Sequence, residues 1–227
     1  MKQTLEALNR KIITCKKCER LVEFRERVAK DKRKQYEDFD YWGKPVPGYG
    51  DPKAQLVVIG LAPAAHGGNR TGRVFTGDSS ARFLVRHLHK AGFANQPTSE
   101  TREDGLRYIN CYVTAAVKCV PPKDKPARQE ILNCAPYLEF ELDLLRNSKA
   151  VLALGKVAFD WYVSFSKRRG NKGSFKFGHG KKYSVSKELP VLFASYHPSP
   201  RNTNTGKLTT EMFEGLLSEI RKYVETE

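Results

Sequence analysis

Hydrophobic positions along the chain fall into two kinds of run. Four are short and nearly unbroken: residues 55–60, 108–117, 150–155 and 191–196. Short apolar runs with β-branched members predict strands buried on both faces, as in a parallel sheet. The others recur at three- and four-residue intervals: Leu5, Leu8, Ile12 and Ile13 ahead of Cys15, then residues 81–91, 127–145, 157–165 and 208–224. That spacing lays apolar side chains along one helix face, and Pro126 stands where a helix start tolerates proline. Residues 16–34 are dense in Lys and Arg and predict a cysteine-bearing turn followed by a basic helix. Residues 36–51 break all periodicity with Gly, Pro and aromatics, and predict an ordered connector. The polar, basic, glycine-rich stretch 167–187 predicts a long surface excursion. Strands alternating with helices predict an α/β, doubly wound sandwich of three layers. Its ligand crevice should lie beyond the carboxyl ends of the strands, just after Gly60, Val117 and Tyr196.

A chain of 227 residues, 40% apolar, suits a single domain, with residues 1–50 as an N-terminal helical segment and loop. The formal charge of +15 changes the picture more. Such an excess most simply reads as an electrostatic footprint for nucleic acid, against the plainer alternative of an unengaged basic surface. No apolar run approaches the roughly 18–20 residues of a membrane span. Charges throughout the first fifteen residues leave no signal-peptide core, so the expectation is a cytoplasmic monomer with no membrane partner.

Five cysteines fall as Cys15 and Cys18 at C-x2-C spacing, then Cys111, Cys119 and Cys134. The close pair supplies two thiolates at metal-ligand spacing, and Cys119, before two prolines, can meet Cys134 on the helix that follows. Cys111 lies inside a strand pattern, where a buried free thiol is the ordinary outcome. Tetrahedral zinc and an iron-sulfur cluster both accept four thiolates, so spacing leaves the two open, along with scattered structural cysteines or a disulfide of the kind thermophile proteins carry.

Two loops carry the remaining chemistry. Residues 60–84, GLAPAAHGGNRTGRVFTGDSSARFL, follow the first strand; they contain neither phosphate-loop nor dinucleotide spacing. Phe75 is either core or a stacking platform, and Asp78 either a helix cap or a catalytic carboxylate. Residues 195–209, SYHPSPRNTNTGKLT, follow the last strand and present His197 where the fold rule places ligands.

These loops resemble the two signature motifs of the uracil-DNA glycosylase superfamily, in the form of its fifth, B-type family from thermophilic archaea and bacteria. Cys15 and Cys18, with Val117 to Pro122 and Cys134-Ala-Pro-Tyr, resemble the four-cysteine frame of the fourth and fifth families. The resemblance implies a central four-stranded parallel sheet between helices, a [4Fe-4S] cluster on Cys15, Cys18, Cys119 and Cys134, and hydrolysis of the N-glycosidic bond of uracil in duplex DNA. Base excision needs the target nucleotide out of the stack. Phe75 would then stack on the base, with Gly60, Leu61 and Ala62 lining its pocket. His197 and backbone N–H groups would stabilise the departing anion. Asp78 is the nearest carboxylate to orient water or stabilise the sugar cation. Ser199, Arg201, Asn204 and Thr205 belong to a loop that the resemblance places in the minor groove. A sliding clamp is the protein partner such a repair enzyme brings into consideration.

The chain also departs from its relatives' pattern. Ala62 stands where better-known relatives carry a water-activating Asp, and Ala64 where a bulky aromatic excludes the thymine methyl. Ala115 stands where the fourth family reads the base with Asn. Asp124 either contacts the base or is a turn residue between two lysines. Small residues at these positions predict loose specificity that admits hypoxanthine or 5-substituted uracils. The rival reading is a zinc or iron-sulfur nucleic-acid-binding module without hydrolase activity.

Overall fold

The protein is described by a computed structural model over residues 4–226. Helix α1 (Leu5–Ile13) starts at Thr4, whose hydroxyl accepts the Ala7 N–H at 3.2 Å. Helix α2 (Glu19–Asp31) is shorter than the basic stretch predicts, because the turn carrying Cys15 and Cys18 stays non-helical and Lys32 leaves helical geometry. The connector ends in a two-residue strand, β1 (Tyr49–Gly50), and runs into β2 (Leu56–Gly60). One helical turn, α3 (Gly68–Thr71), interrupts the glycine-rich loop before α4 (Ser79–Lys90). Strand β3 (Cys111–Ala115), helix α5 (Arg128–Leu144), strand β4 (Ala150–Leu154) and helix α6 (Lys156–Arg168) follow. The surface excursion holds β5 (Lys181–Tyr183), and the chain closes with β6 (Val191–Ser195), a single turn α7 (Pro200–Thr203) and α8 (Thr210–Thr226).

The sheet has six strands in the order β1-β3-β2-β4-β6-β5. Its inner four are parallel, as expected, while the two edge strands pair antiparallel. Sequence periodicity does not announce the edges, because strands this short are half exposed and carry no apolar run.

Alternate side chains of the inner strands enter two separate cores. Leu56, Val58, Val113, Leu152 and Phe193 pack with α4 and α8 through Leu84, Leu88, Phe213 and Ile220. Val57, Ile59, Val151, Leu192 and Ala194 pack on the other face with Leu138, Phe159 and Tyr162 of α5 and α6. Burial on both faces explains why these strands read as continuous apolar runs.

The turn after β3 is fixed by a buried charge. The Lys118 ammonium donates to Glu141 Oε2 at 2.7 Å and to Thr114 Oγ1 at 2.6 Å, with both charged side chains almost fully buried. The other Glu141 oxygen accepts the Gly48 N–H at 3.2 Å, so connector, strand and α5 meet at one carboxylate. No described helix is long and apolar enough to cross a membrane.

Candidate active site

Chain order reverses across β2, which lies between β3 and β4, and a crevice opens beyond the carboxyl ends of these strands. It encloses about 540 Å3 and is lined by Leu61, Ala62, Phe75, Asp78, His197 and Arg201, among others. A second cavity of about 390 Å3, between α4 and α8, lies off the strand ends and lacks all of these groups.

Phe75 is held in a backbone conformation that non-glycine residues rarely adopt, with φ of 47°. Its carbonyl accepts the Ser99 hydroxyl at 2.9 Å, and the Ser99 carbonyl accepts the Gly77 N–H at 2.8 Å. The buried Arg73 donates to Thr76 Oγ1 at 2.8 Å, to Ser99 Oγ at 3.0 Å, and to both Asp104 oxygens at 2.8 Å. This clamp from the neighbouring loop over-determines the strained turn. The Phe75 ring faces Gly60, where an added Cβ would come within 2.7 Å of it. It stacks beside the His197 ring, centroid to centroid 6.1 Å.

Asp78 serves α4 and the pocket together. Its Oδ1 accepts the Ala81 N–H at 3.0 Å as the helix cap, while Oδ2 fills the space a Gly67 side chain would need, 2.1 Å from an ideal Cβ. Burial raises its pKa from the ordinary value against the pull of the Ala81 and Ser80 N–H groups. Burial lowers His197 to about 4, so the ring is neutral at physiological pH. Gly155 packs against its Cβ, and the Asn202 amide donates to its carbonyl at 2.8 Å. At the crevice mouth, Lys123, Asp124 and Lys125 are exposed, and the first two adopt φ of 54°.

The cysteines of the α1–α2 turn, Cys15 and Cys18, line one small pocket with Cys119 and Cys134. All four sulfurs meet a hydrogen-bond donor. Arg25 Nη1 reaches Cys119 at 3.1 Å, Asn133 Nδ2 reaches Cys18 at 3.3 Å, the Lys118 N–H bonds Cys134, and the Tyr137 hydroxyl bonds Cys15. Donors aimed at sulfur suit thiolates bound to a metal centre. Burial pushes the free thiols up, Cys119 to about 11 and Cys134 to about 12. Among the described residues, no three His, Cys, Asp or Glu side chains converge as a single metal ion requires. Cys111 is fully buried in β3, as expected.

The profile of the Uracil DNA glycosylase superfamily matches residues 47–221. The chain belongs to that superfamily. Within it, the chain is 44% identical to the type-5 uracil-DNA glycosylase of Thermus thermophilus over 96% of its length and 97% of the relative's. It is likewise 44% identical to the type-5 uracil-DNA glycosylase of Pyrobaculum aerophilum, over 91% of this chain and 88% of that one. Identity falls to 29% against the type-4 uracil-DNA glycosylase of Sulfurisphaera tokodaii, over 93% and 82%. The gap favours the type-5 branch, matching the motif resemblance.

Of the residues singled out from the superfamily motifs, Leu61, Ala62, Phe75, Asp78, Asp124, His197, Ser199 and Arg201 line the crevice, and Gly60 backs the Phe75 ring. Asn204 and Thr205 do not line it; they sit exposed beyond α7, and the Thr205 hydroxyl donates to the Arg201 carbonyl at 2.7 Å. Ala115 is no pocket wall either, because it is buried in the core at the end of β3. Asp124 stands in a turn, as one reading has it, and its side chain lies at the crevice mouth. Sequence reasoning missed the Arg73, Ser99 and Asp104 clamp, whose members lie up to 31 residues apart. Its only sequence signal is Arg73, one of two arginines within the glycine-rich loop ahead of α4.

Proposed function

We propose that the protein is a DNA-repair glycosylase that hydrolyses the N-glycosidic bond between uracil and deoxyribose in DNA and leaves an abasic site. One observation carries the reading: Phe75, Asp78 and His197, drawn from loops after two different strands, share the crevice at the strand carboxyl ends. Cleavage places positive charge on the sugar and negative charge on the departing base, so oriented dipoles supply most of the catalysis. A flipped base would stack on Phe75, whose ring is fixed by the strained turn behind it. Neutral His197 donates an N–H to a pyrimidine carbonyl and so stabilises the developing anion. Asp78 caps α4 through Oδ1 and lines the crevice, where its carboxylate would orient water or face the sugar cation. From the crevice mouth, Asp124 accepts the N3–H of uracil, a donor that adenine and cytosine lack at the matching edge. Arg201, Lys123 and Lys125 hold backbone phosphates, and the 198–206 segment enters the minor groove.

The four cysteines hold a [4Fe-4S] cluster, which when bound supplies a cross-link between the α1–α2 turn and the segments around Cys119 and Cys134. Support comes from the four cysteines lining one pocket and from the hydrogen-bond donors aimed at their sulfurs. Incubation with a uracil-containing duplex, followed by alkali, tests the activity. Strand scission at the uracil position is expected, and none at any enzyme dose would refute it. Metal analysis and a broad absorbance near about 400 nm test the cluster.

A further inference from the structure

Arg25 belongs to none of the roles above, yet it is only 2% exposed. A buried guanidinium requires a compensating negative charge. Among the described residues, the carboxylate within 4.0 Å of it is that of Glu26, at 3.6 Å, and that side chain is 56% exposed. Instead Arg25 Nη1 points at Cys119 Sγ, 3.1 Å away, and at the Cys15 carbonyl, 3.2 Å away, while Nε has no partner. Of the four donors to sulfur, Arg25 alone brings a charged side chain to the contact: Tyr137 and Asn133 are neutral, and Lys118 donates through its backbone while its ammonium is held by Glu141. Neutral thiols would leave this cation uncompensated, whereas a cubane cluster held by four thiolates is anionic.

We infer that Arg25 is the buried counter-cation of the cysteine-bound cluster, stabilising it and setting its reduction potential. The inference rests on the cluster reading above. It gives the residue a second consequence, because the Arg25 carbonyl accepts the Asn69 amide of α3 at 3.1 Å. The segment that balances the cluster's charge therefore also buttresses the glycine-rich loop of the base pocket. A guanidinium hydrogen bond to a ligand sulfur favours the more negative, reduced form, so its removal drives the potential down.

The test compares wild type, R25Q and R25K, purified without oxygen, for iron content, for the rate at which a chelator bleaches the cluster absorbance, and for midpoint potential by redox titration. R25Q is expected to bleach about 10- to 100-fold faster and to titrate at a more negative potential. R25K keeps the charge but carries it on a shorter stem than the one that brings Nη1 to both the sulfur and the Cys15 carbonyl, so it should fall between. Wild-type-like bleaching and potential in R25Q would overturn the inference. If circular dichroism shows R25Q unfolded, the neutral R25M is compared with the charge-retaining R25K, and equal bleaching rates and potentials in the two overturn the inference as well. A wild-type protein without iron or chromophore would instead remove the cluster reading itself, and the inference with it.

Discussion

The neutrality of His197 has a measurable thermodynamic consequence. Its pKa in the folded protein is about 4, against an ordinary value of 6.5. Because the folded value is the lower one, acid protonates the imidazole in the unfolded chain first and draws the equilibrium towards unfolding. The stability associated with this ring is therefore present above about pH 6.5 and is lost as pH falls towards 4. Integrating the proton uptake from pH 8 to pH 5 gives a loss of about 2 kcal/mol from this one residue. Other groups titrate over the same interval, so the assay is a double difference: urea unfolding of wild type and H197Q at both pH values. Wild type should lose about 2 kcal/mol more than H197Q. Equal losses in the two proteins would mean that the ring is solvated in the folded state. They would also remove the argument that a neutral imidazole, and not an imidazolium, faces the base.

Asp78→Asn should lower single-turnover uracil excision by about 100-fold or more. It should cost under about 1 kcal/mol of stability, since Asn also caps helices, and Asp78→Ala should lose both activity and stability. In wild type, activity should fall with acid at a higher pH than an ordinary aspartate would give, because burial raises Asp78 and only its ionised form can assist water. Glu141→Gln leaves the Lys118 ammonium buried without its counter-charge, and denaturant melts should show a loss of about 3–5 kcal/mol. Arg201→Ala should weaken retention on abasic duplex and flatten the salt dependence of binding by about one unit of log-log slope, read from titrations at several salt concentrations. The small Ala62 and Ala64 walls should allow excision of hypoxanthine, 5-hydroxymethyluracil or thymine opposite guanine. Cleavage confined to uracil would reveal a filter elsewhere in the pocket.

What the sequence determined by itself is everything that burial imprints locally. The four inner strands appear as apolar runs because both faces are covered, and α4, α5, α6 and α8 appear as helical spacing because each covers one sheet face. Phe75, Asp78 and His197 were legible because they follow predicted strands in a fold whose crevice has a fixed location. The tertiary structure alone decided the rest, since it depends on partners distant along the chain. Arg73 meets Asp104 31 residues away, Lys118 meets Glu141 23 away, and Arg25 meets Cys119 94 away. Nothing in periodicity encodes such pairs, nor the edge strands, which form only when a neighbour offers its open hydrogen bonds. Asp78 shows the two sources meeting in one side chain. Its capping role follows from the residues after it, whereas its raised pKa and its place against Gly67 exist only once the glycine-rich loop folds back over it. Protonation states in this site are thus properties of desolvation, which no residue possesses until the chain has packed around it.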